Sequence, residues 1–258
     1  MSRLTPRRVV RGIGRRVPRR PFRAVMPARL LRGPVRFWFS TLAADPDPRR
    51  GLRELLSLEE ALRLQLDAAA IRYDDGVHVK HRLTAYHDFF VQRVRPGERV
   101  LDVGSGKGEL AHDLVVRSGA EVVGIDFDPA HLAFARDRFR HERLRFVAGD
   151  VLEEVPEGHF DVIVLSNVLE HVDQRVELLR RLVEAVQPSR LLLRVPVFAR
   201  DWIVPLRQEL GLGYFSDPSH FVEYDEEGFR TELAAAGLEV TELRLVWGEI
   251  WAAARPIE

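Results

Sequence analysis

Cysteine is absent from all 258 residues, which excludes disulfides and thiolate metal sites and suits a reducing compartment. Lysine is scarce: Lys80 and Lys107 stand beside 37 arginines, a bias that reads as GC-rich coding rather than a physical demand. No apolar run approaches the roughly 18 residues that a membrane-spanning helix needs. The basic N-terminus lacks the apolar core of a secretory signal, so the expected location is cytoplasmic. Residues 1–44 also lack any Asp or Glu while holding twelve arginines. The formal net charge of zero therefore hides a basic arm and a body with 27 basic and 39 acidic groups, about −12 overall. Hydrophobic residues at 46% and charged residues at 30% are ordinary for a globular chain, and the length suits one α/β domain with additions.

Along the chain, Pro6, Pro18, Pro21, Pro27 and Pro34 punctuate the arginine-rich start, so residues 1–44 read as an unstructured basic arm. Residues 45–96 read as a helical cap. Leu52, Leu55, Leu56, Ala61, Leu62 and Leu66 recur at helical spacing, and a second helix is predicted over about 80–94, closed by Pro96-Gly97. From 97 to 258, β-rich runs near 99–103, 121–125, 144–148, 160–165 and 190–195 alternate with helical runs near 108–118, 129–140 and 173–186. This predicts an α/β fold, a mostly parallel sheet with helices on both faces. Residues 200–224 form an aromatic insert. A helix over 225–236 and an antiparallel hairpin over 238–246 and 249–254 follow.

The sequence RVLDVGSGKGEL, residues 99–110, places Gly104, Gly106 and Gly108 after the first strand. A dinucleotide fingerprint would need its third glycine where Glu109 stands, and a phosphate loop would need Ser or Thr after Gly106-Lys107. The loop therefore suits a ligand without phosphates. In a doubly wound sheet, ligands lie across the carboxyl ends of the strands, and four of those ends carry a polar residue: Asp102, Asp126, Asp150 and Asn167. Asp126 is placed to accept both hydroxyls of a ribose, Asp150 to accept from an adenine amino group, and Asp102 with the glycine loop to flank an amino-acid moiety. Helix and turn capping is the competing explanation for each acid alone.

VLDVGSGKG, VVGIDFDP, FVAGD and FDVIVLSNVLEHV together resemble the successive motifs of the class I S-adenosylmethionine-dependent methyltransferases, over about residues 97–255. The resemblance implies a Rossmann-like sheet of seven strands ending in an antiparallel hairpin, with S-adenosyl-L-methionine as methyl donor. The cofactor set it implies is Asp102, Gly104, Ser105, Gly106, Gly108, Asp126, Phe127, Asp150, Val151 and Asn167. Glu170 and His171 follow the fourth strand, and His220 lies in the insert, a usual place for acceptor-binding segments. These three are the candidates for chemistry. Some relatives carry Glu-x-x-Glu-His with a later His and bind a divalent metal, but Asn167 fills the first of those positions, so no metal is expected.

The motif for methylating planar amino groups is absent after the fourth strand, where Ser166-Asn167-Val168-Leu169 stands. The expected reaction is methylation of a hydroxyl on a small molecule, sugar or lipid-linked glycan. The rivals are an RNA methyltransferase that uses the basic arm and a cofactor-binding adaptor without turnover. The acid row argues against the adaptor, and the acidic body argues against RNA. Lys80, His81 or Arg82 could reach the methionine carboxylate. The arm, with Leu30, Leu31, Phe37, Trp38 and Phe39, is a candidate for peripheral contact with an anionic membrane.

Overall fold

The computed structural model describes residues 28–156 and 158–257. Two compact units divide at Glu60–Ala61. In the first, α1 (Ala28–Ala43) leads into α2 (Pro48–Tyr73), which runs across the division. Asp45 anchors the turn between them, taking Nε and Nη2 of Arg50 at 2.9 and 2.8 Å and the amide of Asp47 at 2.8 Å. One expectation is corrected here. Residues 28–43 of the arm are helical, with Pro34 inside the helix, where it removes one backbone donor. Residues 1–27 of the arm lie outside the described residues.

In the second unit α3 (Lys80–Thr84) and α4 (Tyr86–Val91) replace the single helix predicted over 80–94. The strands are β1 (Arg99–Val103), β2 (Glu121–Asp126), β3 (Leu144–Ala148), β4 (Val162–Ser166), β5 (Arg190–Pro196), β6 (Leu238–Val246) and β7 (Glu249–Pro256). The helices between them are α5 (Glu109–Asp113), α6 (Pro129–Arg138), α7 (Arg175–Val186), α8 (Ile203–Glu209) and α9 (Glu226–Ala235). One seven-stranded sheet results, in the order β3-β2-β1-β4-β5-β7-β6, parallel except for β7 against β5 and β6. This is the predicted architecture. The order reverses direction between β1 and β4, the position where an open parallel sheet leaves a crevice for ligands.

Alternation along the strands divides the core. Leu101, Val103, Ile163, Leu165, Leu191 and Leu193 face α7 and α9, meeting Leu178, Leu179, Leu182, Phe229 and Leu233. Val100, Val122, Val162, Val164 and Leu192 belong to the opposite layer, with Phe89 and Phe90 of α4, Leu110 of α5 and Leu132 of α6. By the same period of two, Asp102, Ser166 and Arg194 end their strands on the α4 side, so a polar cluster caps an apolar layer at the crevice.

Candidate active site

The turn after β1 is built from left-handed residues: Gly104 at φ 66°, Gly106 at φ 55° and Gly108 at φ 85°. Gly108 is closed in by packing, since a Cβ there would lie 2.5 Å from Cζ of Phe146. Gly106 is different. Its conformation disfavours a side chain, yet nothing lies within 4 Å of where a Cβ would be. The backbone there faces open space, as a ligand cradle must. Asp126 holds this turn: its Oδ2 accepts from the Gly106 amide and its Oδ1 from the Asp128 amide, both at 2.8 Å. Phe127, next in the chain, is 78% exposed.

Several polar atoms at the crevice are buried without a hydrogen-bond partner among the described residues: Oδ2 of Asp102, Oγ of Ser105, Oδ1 of Asn167 and both carboxylate oxygens of Glu170. Leaving such groups unpaired is costly. Asp102 registers that cost. Burial, reinforced by the charge of Asp126, pushes its carboxyl up to about 8. A donor group arriving beside Asp102, above all a cationic one, would reverse both effects. Asn167 sits at φ 57° at the end of β4, its amide tied to the Arg194 carbonyl at 2.8 Å. Asp150 also caps a turn, its Oδ1 taking the Leu152 amide at 2.9 Å. Val151 follows it in that turn.

Beyond β4 the short helical turn Leu169–His171 meets the insert. The Phe221 amide donates to the Glu170 carbonyl at 2.7 Å, and the rings of His171 and His220 stack edge to face with centroids 4.5 Å apart. The ligand atoms of Glu170, His171 and His220 all lie within 4.8 Å of one another. The structure thus brings together the three residues singled out for chemistry.

Hydrogen bonds around this trio engage one nitrogen of each imidazole. Ser219 donates its one hydroxyl proton to Oδ1 of Asp217 at 2.5 Å, so it must accept from Nδ1–H of His171 at 2.8 Å. Nδ1 of His220 lies 3.5 Å from Oε1 of Glu223, an acceptor only, with Oγ of Ser216 at 3.4 Å. Nδ1 of each imidazole is thus engaged by a neighbouring side chain, and Nε2 is the ring nitrogen that these contacts leave over. Burial, with the neighbouring His220, holds His171 below its ordinary range, so it stays neutral near pH 7. Burial drives Glu170 the other way, to about 7. Such a trio can take a proton from a hydroxyl. Equally, two imidazole nitrogens and a carboxylate can ligate a divalent cation.

Residues that sequence reasoning missed complete the surroundings. Arg194, 3% exposed, gives paired bonds of 2.6 Å to Glu249, and its guanidinium lies 3.8 Å over the ring of Tyr86. An arginine inside LLLRVP was the available signal. Asp217, Ser219 and Glu223, which orient the imidazoles, had none. Of the basic residues expected near the methionine carboxylate, Arg82 is paired with Asp74 at 3.0 Å. His81 is engaged with Tyr86 and His87, and burial takes it down to about 3. Lys80 makes no ion pair among the described residues, and partial burial holds its ammonium below the ordinary lysine range. Among the insert aromatics Tyr224 is core, donating to Glu232, whereas Trp202 and Phe221 are exposed. A separate cavity of about 380 Å³, lined by His81, His87, Asp113, Arg117 and Arg138 among others, includes none of the acid row.

Residues 76–243, well over half of the chain, match the family described as "Methyltransferase domain". The chain belongs to this family, the class I S-adenosylmethionine-dependent methyltransferases, and S-adenosylmethionine is its methyl donor. It is 40% identical over 111 residues to ribosomal protein L11 methyltransferase of Ralstonia nicotianae, covering 43% of this chain and 35% of that protein. It is 32% identical over 133 residues to the mitochondrial ubiquinone biosynthesis O-methyltransferase of Schizosaccharomyces pombe, covering 47% of this chain and 48% of that one. The matched segment thus spans between about a third and a half of those curated relatives. Magnesium protoporphyrin IX methyltransferase from Synechocystis PCC 6803, solved with bound SAH, shares the fold: TM-score 0.56 at 19% identity, covering 70% of this chain and 85% of that one.

The crevice fits such a donor. The unpartnered atoms of Asp102, Ser105 and Asn167 would face its methionine end, the bare backbone at Gly106 would border it, and Asp126 has lone pairs left for ribose hydroxyls. Asp126→Ala removes bonds worth about 1.5–3 kcal/mol each and releases the Gly106 amide. SAH affinity by calorimetry should fall at least tenfold, and unchanged affinity would remove Asp126 from the site.

Proposed function

We propose that this chain methylates a hydroxyl of a small molecule, a sugar or a lipid-linked glycan, with His171 or His220 taking the hydroxyl proton. One observation carries the reading: two imidazoles meet at the end of β4, ring against ring, with both Nδ1 atoms held by neighbouring side chains. A nitrogen nucleophile could react without such a base, whereas a hydroxyl must lose its proton. S-adenosylmethionine, when bound, supplies an activated methyl group that departs by in-line displacement. The chain's own part is to hold the acceptor in line, exclude water and remove the proton. Trp202 and Phe221, exposed on the insert, are available to cover an acceptor. The named relatives act in different classes, ribosomal protein L11 and ubiquinone biosynthesis, and the second accords with an oxygen acceptor. The test is incubation with methyl-labelled donor and fractionated cell extract. Label should enter the small-molecule, glycan or lipid fraction, and label confined to RNA or to protein would overturn the reading.

A second reading has one observation in its favour. Glu170 is fully buried with neither carboxylate oxygen paired, beside two oriented imidazoles, an arrangement that a divalent cation would satisfy. Bound there, the cation would supply Lewis-acid polarisation of the acceptor hydroxyl. Treatment with EDTA separates the two. If His171 or His220 acts as the base, activity should stay within about twofold of the untreated rate, small against the 10²–10⁴ a base contributes. Loss of activity that added Mg²⁺ or Mn²⁺ restores would establish the cation instead.

A further inference from the structure

We propose that α1 is an in-plane anchor that seats the chain on an anionic membrane surface. The inference is independent of which acceptor is methylated. Every residue from Arg29 to Thr41 is exposed, and α2 meets α1 near its last turn, where Gly51 lies against the Leu42 carbonyl. The exposed surface has two sides. Leu31, Val35 and Trp38 recur at helical spacing along one stripe, with Leu30 and Phe37 beside it, while Arg29, Arg32 and Arg36 line the opposite stripe. Phe37 is 76% exposed, Leu30 59% and Trp38 49%. These side chains would be wasted in water, yet no described helix is long and apolar enough to cross a membrane. A helix of this kind lies in the headgroup plane, its apolar side in the acyl boundary and its arginines among lipid phosphates, with Trp at the interface.

Charge selects among occupants. Arg29, Arg32 and Arg36 have no acidic partner among the described residues, and nine further arginines with no acid precede them in residues 1–27. A second copy of this chain would set arginine against arginine across a symmetric interface. RNA would satisfy the arginines but leave the apolar stripe in water. An anionic bilayer matches both stripes.

The experiment uses the full chain in flotation with vesicles of equimolar phosphatidylcholine and phosphatidylglycerol, and with phosphatidylcholine alone. The chain should float with the anionic vesicles and far less with the neutral ones. The triple variant R29Q/R32Q/R36Q should lose about fivefold in partitioning per arginine, on the order of 100-fold in all. V35E/W38E should lose at least as much at unchanged charge on the arginine stripe, and SAH affinity in both variants reports that the methyltransferase unit is intact. Wild-type protein that stays with the soluble fraction would overturn the proposal, as would flotation unaffected by either variant. Binding to poly(U) that falls with the arginines while V35E/W38E changes nothing would assign the helix to nucleic acid. A dimer that V35E/W38E dissolves, without flotation of the wild type, would assign it to self-association.

Discussion

His220→Ala should lower turnover by about 10² to 10⁴, the usual contribution of a positioned imidazole, with SAH affinity nearly unchanged. His220 is 8% exposed and its ring packs edge to face on His171, so removing it takes away one base and loosens the other. His171→Ala should fall in the same range if it is the proton acceptor, and by clearly less if it only supports its neighbour. Residual activity should survive in both, because displacement of the methyl group needs no protein nucleophile. The pH profile supplies a second readout. Glu170, pushed up to about 7 by burial, gains its charge as pH rises through that value, and a carboxylate beside the imidazoles favours the imidazolium formed when one accepts a proton. The rate should therefore climb across pH 7. In Glu170→Gln that limb should vanish, leaving only the limb of the histidine base, which for the depressed His171 lies below the ordinary imidazole range. A flat profile in the wild type, or full turnover in His220→Ala, would reject the assignment. So would a structure of the donor complex with both imidazoles beyond hydrogen-bond or single-water reach of an acceptor oxygen.

The parts of this site that were legible in sequence are those that topology fixes. A parallel sheet brings all its carboxyl ends to one edge, so Asp102, Asp126, Asp150 and Asn167 had to form a row once the strands were assigned. His171 and His220 met for the same reason, one at the end of β4 and the other on the segment that returns over it. What sequence could not give was the orientation of either imidazole. That depends on Ser219, Asp217 and Glu223, ordinary turn residues until the insert folds back on β4. The expectation of no metal rested on Asn167, and the identity of residue 167 says nothing of whether Glu170 finds a partner.

The helical segments before the sheet illustrate the other limit. Ala85 is left-handed at φ 51° and breaks the helix predicted over 80–94, although alanine is the strongest helix former and the conformation costs about 1–2 kcal/mol. Local propensity was overruled by packing at a distance. The break lets Tyr86 lie under Arg194 and lets His81, Tyr86 and His87 pack ring against ring. In α1 the error ran the other way. Pro34 read as an interruption, yet the helix and its two stripes persist on both sides of it.

Arg194→Met should be the most damaging change to stability outside the apolar core, costing about 3–5 kcal/mol, because removing one partner of a buried ion pair strands the other. The stranded group is Glu249, which would keep the indole N–H of Trp251 at 2.9 Å and lose both guanidinium bonds. Its remaining exposure of 18% places the effect toward the low end of that range. Arg194→Met with Glu249→Met should recover much of the loss, since a matched apolar pair removes the desolvation penalty together with the attraction. Urea denaturation of the two single variants and the double variant gives the coupling directly. Additive losses would show that the pair contributes no more than its separate packing. The same cycle has a functional readout. The guanidinium favours the charged form of Glu170 and the Glu249 carboxylate opposes it, so Arg194→Met alone should displace the pH-rate limb above pH 7, and adding Glu249→Met should bring part of that displacement back. A limb left in place would mean that Arg194 supports the sheet edge without tuning the site it borders.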